Sequence, residues 1–367
     1  MTKTALLSRP FLPVQPPRVP GLTRQTSGAA TGRVRRAGLA TLLLALAACS
    51  PTPEAPPQPP IHATAPRAKP AIPQVDQAAL RRERAEKARA DAAVASMAAN
   101  TPASRNMRDY LVNVEDTLVR RGLLRTDDGR DIALTPEMLT RNFIQIALHD
   151  EYLRKDGRLV QQQTPAPLRR WQQPVQIQLV FGDSVDQGQR SRDRADVSAL
   201  AARLAAASQH PVSVTGARGN FVVLFLSEDE RRTIGPRLTS LVPGIPASDV
   251  AALQELSPQN YCTVFAYSRG AEQTYAQAVA LIRAEAPARL RRSCIHEEIA
   301  QGLGLANDSN KARPTIFNDD EEFAYLTHQD ELLLRILYDP RLQPGMTVAE
   351  AEPIVLQISH ELLGAGA

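Results

Sequence analysis

Apolar positions recur at helical spacing over residues 107–122 and 136–155, the second stretch placing Leu139, Phe143, Ile146 and Leu148 near one side. Strand patterns follow. Val175 to Phe181 (VQIQLVF) alternates before Gly182 and Asp183, and Asn220 to Leu226 (NFVVLFL) is a continuous apolar run suited to a strand covered on both faces. Between them, Asp193 to Ser208 reads as an Ala/Leu-rich helix. Cys262 to Tyr267 (CTVFAY) reads as the last strand and Glu272 to Glu285 as a helix after it. No repeat of fixed period appears. Helix interleaved with sheet predicts one α+β domain over residues 104–367.

The chain before that domain has a different character. Residues 76–103 are rich in Ala, Arg and Glu and lack a core stripe, which predicts a solvated helix. Nine prolines fall between Pro51 and Pro73, so residues 49–75 read as an extended tether. Residues 1–48 read as a signal region, longer at its start than a signal needs. Arg33, Arg35 and Arg36 precede an apolar run from Ala37 to Ala48 that falls short of the ~20 residues a bilayer crossing takes. The run ends Leu46, Ala47, Ala48, Cys49, which resembles the lipobox of bacterial lipoproteins. That resemblance implies cleavage before Cys49, lipidation of its sulfur and attachment to a membrane. Ser50 stands where inner-membrane retention would ask for Asp, so the resemblance implies the periplasmic face of the outer membrane. An ordinary secretory signal ending in small residues is the alternative.

Charge removes one class of function. The chain carries a formal +4, but residues 1–48 hold seven Lys or Arg and no acid; without them the balance is 36 basic against 39 acidic, or −3. A domain so balanced has no bulk electrostatic reason to bind nucleic acid, which needs a concentrated basic face. Besides Cys49 there are two cysteines, Cys262 and Cys294. An exported compartment permits a bridge between them, which is the favoured reading; two buried free thiols are the other.

The stretch that carries chemistry begins at Cys294: CIHEEIAQGLGLANDSN. Residues four apart on a helix lie one above the other, so Glu297 and Gln301 can reach one point. Gly304 lets the chain leave the helix in a turn that swings Asn307 back toward it. Glu298, rotated about 100° from Glu297, takes the position of a general base. His296 fits no ligand spacing and reads as a packed or solvated side chain. The cluster of Asn307, Asp308, Asn310, Asn318, Asp319, Asp320, Glu321 and Glu322 is dense in oxygen ligands but lacks EF-hand spacing and reads as a polar loop.

These residues resemble the metzincin peptidases, whose HExxHxxGxxH is followed by a turn and a helix reading roughly LSxxDxxxLxxLY. Glu297, Glu298, Gln301, Gly304 and Asn307 occupy the five motif positions, and Leu326, Thr327, Asp330, Leu334, Leu337 and Tyr338 match the closing helix. The chain is also similar to a proteobacterial lipoprotein family of unknown function with an EExxQxLGLxND helix and a SIFND-like turn, here Thr315 to Asp319. The resemblance implies a zincin-like mixed sheet with an active-site-type helix. A carboxylate and two amides replace three imidazoles, however. Such oxygens suit Ca²⁺ or Mg²⁺ better than Zn²⁺, and no methionine stands at the turn. The expectation is therefore a binding or scaffold module without zinc peptidase activity and with no cofactor, a divalent metal being the exception. It would take an envelope protein or peptide as ligand along the strand Cys262 to Tyr267. The alternative is a metal-dependent hydrolase with Glu298 as base and Glu297, Gln301 and Asn307 or Asp308 as ligands.

Overall fold

The computed structural model describes residues 76–155, 158–269, 272–318 and 320–364; the expected signal region, Cys49, the expected proline-rich tether and Asp319 lie outside them. Helix α1 (Gln77–Ala99) starts where the Asp76 side chain accepts from the amides of Ala78 and Ala79, and it buries only Ala95. Helix α2 (Pro102–Arg120) begins earlier than the apolar spacing suggested, because Thr101 caps it and Pro102 suits its first turn. Met107 and Leu111 of α2 pack with Ala286 and Leu290.

Helix α3 (Pro136–Ala147) is capped by Thr135 and ends sooner than predicted. The apolar stripe stops at Leu148, and the polar run after it forms β1 (His149–Lys155), paired antiparallel with β2 (Arg158–Pro165). The main sheet holds β3 (Arg170–Trp171), β4 (Val175–Phe181), β5 (Val212–Thr215), β6 (Phe221–Leu226), β7 (Cys262–Ser268) and β8 (Thr274–Arg283). Helix α4 (Gln187–Ser208) joins β4 to β5; α5 (Glu228–Thr233), α6 (Gly235–Leu241) and α7 (Ala247–Gln254) join β6 to β7. After β8 come α8 (Ala288–Gln301), α9 (His328–Leu337) and α10 (Val348–Gly364).

The strand order is β3-β8-β6-β4-β5, all parallel, with β7 antiparallel along the β8 edge. The sheet is thus mixed but mostly parallel. One prediction fails here: Glu272 to Glu285 is strand β8 and not a helix, and Cys262 to Tyr267 is the second-last strand. The alanines that suggested helix, Ala278 and Ala280, are fully buried small residues on the sheet face toward α8, where a helix can approach closely. Val279 and Leu281 on the opposite face bury against Ile234, Leu238 and Leu253 of the α5–α7 layer. With helices on both faces, β6 buries all six of its residues, as its unbroken apolar run requires.

α8 comes directly after β8 and runs back beneath the sheet. Cys262, Val264 and Ala266 of β7 pack on the same core as α8, whereas Phe265 and Tyr267 face the other layer. A buried bidentate pair, Arg291 with Asp193, holds α8 to α4 at 2.6 and 2.8 Å. No helix among the described residues is long and apolar enough to cross a membrane.

Candidate functional site

Helix α8 divides its residues cleanly. Leu290, Ile295, Ile299 and Ala300 are buried in the core, and Cys294, Glu297, Glu298 and Gln301 form a stripe at i, i+3, i+4 and i+7. At the head of that stripe Cys294 is disulfide-bonded to Cys262 of β7, with the Cα atoms 5.8 Å apart, so the favoured bridge is present. Next to the disulfide, a carboxylate oxygen of Glu297, one of Glu298 and the Cys262 sulfur all lie within 4.8 Å of one another. Glu298 is buried and Glu297 half-buried.

The lower end of the stripe is set by the way the chain leaves the helix. Trp171 donates its indole N–H to the Gly302 carbonyl at 2.8 Å and Tyr338 its hydroxyl to the Leu303 carbonyl at 2.9 Å, which satisfies acceptors a helix end leaves open. Gly304 has φ +123°, and a Cβ there would stand 2.5 Å from the Arg169 carbonyl oxygen. Only glycine fits both constraints. The turn brings Asp308 back, and Gln301 Nε2 donates to its Oδ1 at 2.8 Å. Asn307 is fully buried and faces the end of α3: its backbone N–H donates to the Ile146 carbonyl at 3.0 Å and its Nδ2 to the Gln145 carbonyl at 2.7 Å.

The four positions read from the motif therefore divide into groups. Glu297 and Glu298 converge beside the disulfide, Gln301 engages Asp308, and Asn307 joins the turn to α3. As a zinc site these residues do not fit. No imidazole is among them, and Gln301 and Asn307 turn to different partners, Asp308 and the end of α3.

Around the site the remaining motif residues do structural work. Asp330 is fully buried; it accepts from the hydroxyls of Thr315 and Thr327 and from the amides of Ile316 and Thr327, and so fastens the turn at 315–318 to the start of α9. Burial pushes its carboxyl up to about 6. His296 lies off the stripe. Its Nδ1 accepts from the Leu326 amide at 3.0 Å, its ring packs on Tyr325, and burial together with Arg203 and Arg292 pushes its pKa down to about 3. It is a neutral packed histidine. In the oxygen-rich cluster, Arg313 pairs with Asp320 and Glu322, and Asn318 bonds the Ala312 carbonyl and the Asp320 amide, as a polar loop would.

Two supporting features escaped the reading of the sequence. Trp171, the chain's one tryptophan, lies on a two-residue strand that no periodicity marks, and the Asp193–Arg291 pair joins residues 98 positions apart.

A sequence profile of the family described as protein of unknown function (DUF2927) matches residues 136–357, from α3 through most of α10. No curated protein and no solved structure matches the chain significantly.

Proposed function

The chain belongs to the DUF2927 family, and from that premise we propose that it is a lipid-anchored envelope protein whose metzincin-like domain binds an extended polypeptide along β7 without cutting it. The observation that carries this reading is the state of β7: an antiparallel edge strand, half-buried at each of its seven residues and covalently tied to α8 at Cys262. An edge strand offers backbone donors and acceptors to an incoming chain, and alternate side chains supply selectivity. A strand already fastened at one end also needs less ordering on binding.

The metzincin relationship is part of the proposal. A mixed sheet whose one antiparallel strand lies above the motif-bearing helix supports it, as does the turn at Gly304. Oxygen donors in place of imidazoles at the ligand positions favour holding over hydrolysis. Lipidation of Cys49 and outer-membrane residence rest on the lipobox resemblance.

Two measurements test the reading. Fluorescein-labelled, reduced and carboxymethylated casein is titrated with the chain from residue 76 onward, with anisotropy and gel electrophoresis read on the same samples. Saturable binding with intact casein is the expected result. Cleavage that disappears in Glu298→Ala would instead establish the hydrolase with Glu298 as base. Separately, Cys49→Ser is expected to move the full chain from the membrane to the soluble envelope fraction, and continued membrane association would refute the anchor.

A further inference from the structure

The disulfide that fastens β7 has two glutamates beside it, and peptide binding assigns those carboxylates no role. Cys262 Sγ and the carboxylates of Glu297 and Glu298 already lie mutually within 4.8 Å, and Cys294 brings the second sulfur to the same place through its bond to Cys262. Cys294, Glu297 and Glu298 are i, i+3 and i+4 on α8, so one helix face supplies three of the four groups and β7 the fourth. In the oxidised chain the two sulfurs are spent on each other.

We propose that reduction of Cys262–Cys294 turns these four side chains into a binding site for a thiophilic divalent cation of the zinc class. This inference is independent of the peptide-binding reading.

A dithiol or phosphine reductant supplies two electrons and the S–S bond takes up two protons, giving two thiols while the reductant is oxidised. The cation then displaces both protons, and two thiolates and two carboxylates surround M²⁺. Tetrahedral coordination by two sulfurs and two oxygens places neighbouring donors about 3.5–4 Å apart, given metal–sulfur distances near 2.3 Å and metal–oxygen distances near 2.1 Å. The 4.8 Å grouping needs only a small contraction, and the sulfurs must separate from bonding distance to van der Waals distance. Thiolate donors select zinc and its relatives over calcium and magnesium. Cys262 and Glu297 are half-buried, so a small reductant and a metal ion have access. In both states β7 stays clipped to α8, by a covalent bond when oxidised and by a shared ion when reduced.

The test uses the full chain carrying Cys49→Ser, which removes the third thiol. It is reduced with a phosphine under argon and titrated with Co²⁺ as a spectroscopic stand-in for Zn²⁺. The expected result is one Co²⁺ per chain with a sulfur-to-cobalt charge-transfer band in the near ultraviolet, displaced by Zn²⁺. The oxidised chain should show no such band. Cys294→Ser should abolish the band, and Glu297→Gln and Glu298→Gln, each checked for unchanged circular dichroism in the oxidised state, should weaken binding about tenfold or more. Reduced protein that binds Co²⁺ no tighter than Cys262→Ser/Cys294→Ser, that is indifferent to both glutamine variants, or that loses its folded circular dichroism before metal is added overturns the assignment.

Discussion

Gln301 donates its side-chain amide to Asp308 over 2.8 Å, across the turn that Gly304 makes, and so closes the loop at the foot of α8. This contact commits the second ligand position of the motif to a partner seven residues further on. The turn it closes depends on one backbone conformation. Gly304→Ala is expected to lower stability by at least about 2 kcal/mol, from the left-handed φ and the contact with Arg169 together. Gly216, with open space around it, is the control: Gly216→Ala is expected within about 0.5 kcal/mol of the parent. Urea denaturation followed by circular dichroism measures both.

The Asp193–Arg291 pair fixes the position of α8 against α4 and is almost wholly out of water. Removing one partner strands a buried charge, so Asp193→Ala is expected to cost about 3–5 kcal/mol. The double change Asp193→Leu/Arg291→Met should recover most of that loss, since a well-packed apolar pair replaces two desolvated ions. Equal destabilisation in both variants would contradict this role.

Two ionisable groups near the site, His296 and Asp330, make stability depend on pH in opposite senses. His296 has its folded pKa depressed from 6.5 to about 3, so its contribution is complete above 6.5 and drains away as pH falls. Asp330 has its folded pKa raised from 3.8 to about 6, so its contribution is complete below 3.8 and is lost as pH rises through 6. Compared between pH 4 and pH 7, wild type relative to His296→Asn should lose on the order of 3 kcal/mol at the acid end. Wild type relative to Asp330→Asn should instead gain on the order of 2–3 kcal/mol there. Unfolding free energies at the two pH values check the signs.

Much of this arrangement was legible in the residues, and the failures have physical causes. The β6 strand announced itself because both its faces are covered, which demands an unbroken apolar run. The turn at Gly304 was readable because only glycine tolerates that backbone. β8 misled because a strand lying over a close helix carries alanines, and alanine is the strongest helix former; its sheet neighbours, not its own composition, decide its state. The partner of Gln301 was hard to single out because a loop of six intervening residues can present either Asn307 or its neighbour Asp308. Asn307 goes to the end of α3, an element 160 residues earlier whose proximity no local pattern encodes.

The disulfide spans a separation of 32 residues and ties the edge strand to α8. On the chain-entropy account its removal in Cys262→Ala/Cys294→Ala should cost about 3–4 kcal/mol. The same variant is expected to bind extended polypeptide more weakly, because β7 must then be ordered when the ligand arrives. A lower melting temperature with unchanged affinity would separate the stabilising role from the binding one.

Hydrogen–deuterium exchange of the amides of residues 262–268, with and without saturating reduced and carboxymethylated casein, tests the central claim most directly. The account predicts added protection along β7 while the casein stays intact. Casein bound with no change in β7 exchange, or casein cut during the incubation, would contradict it.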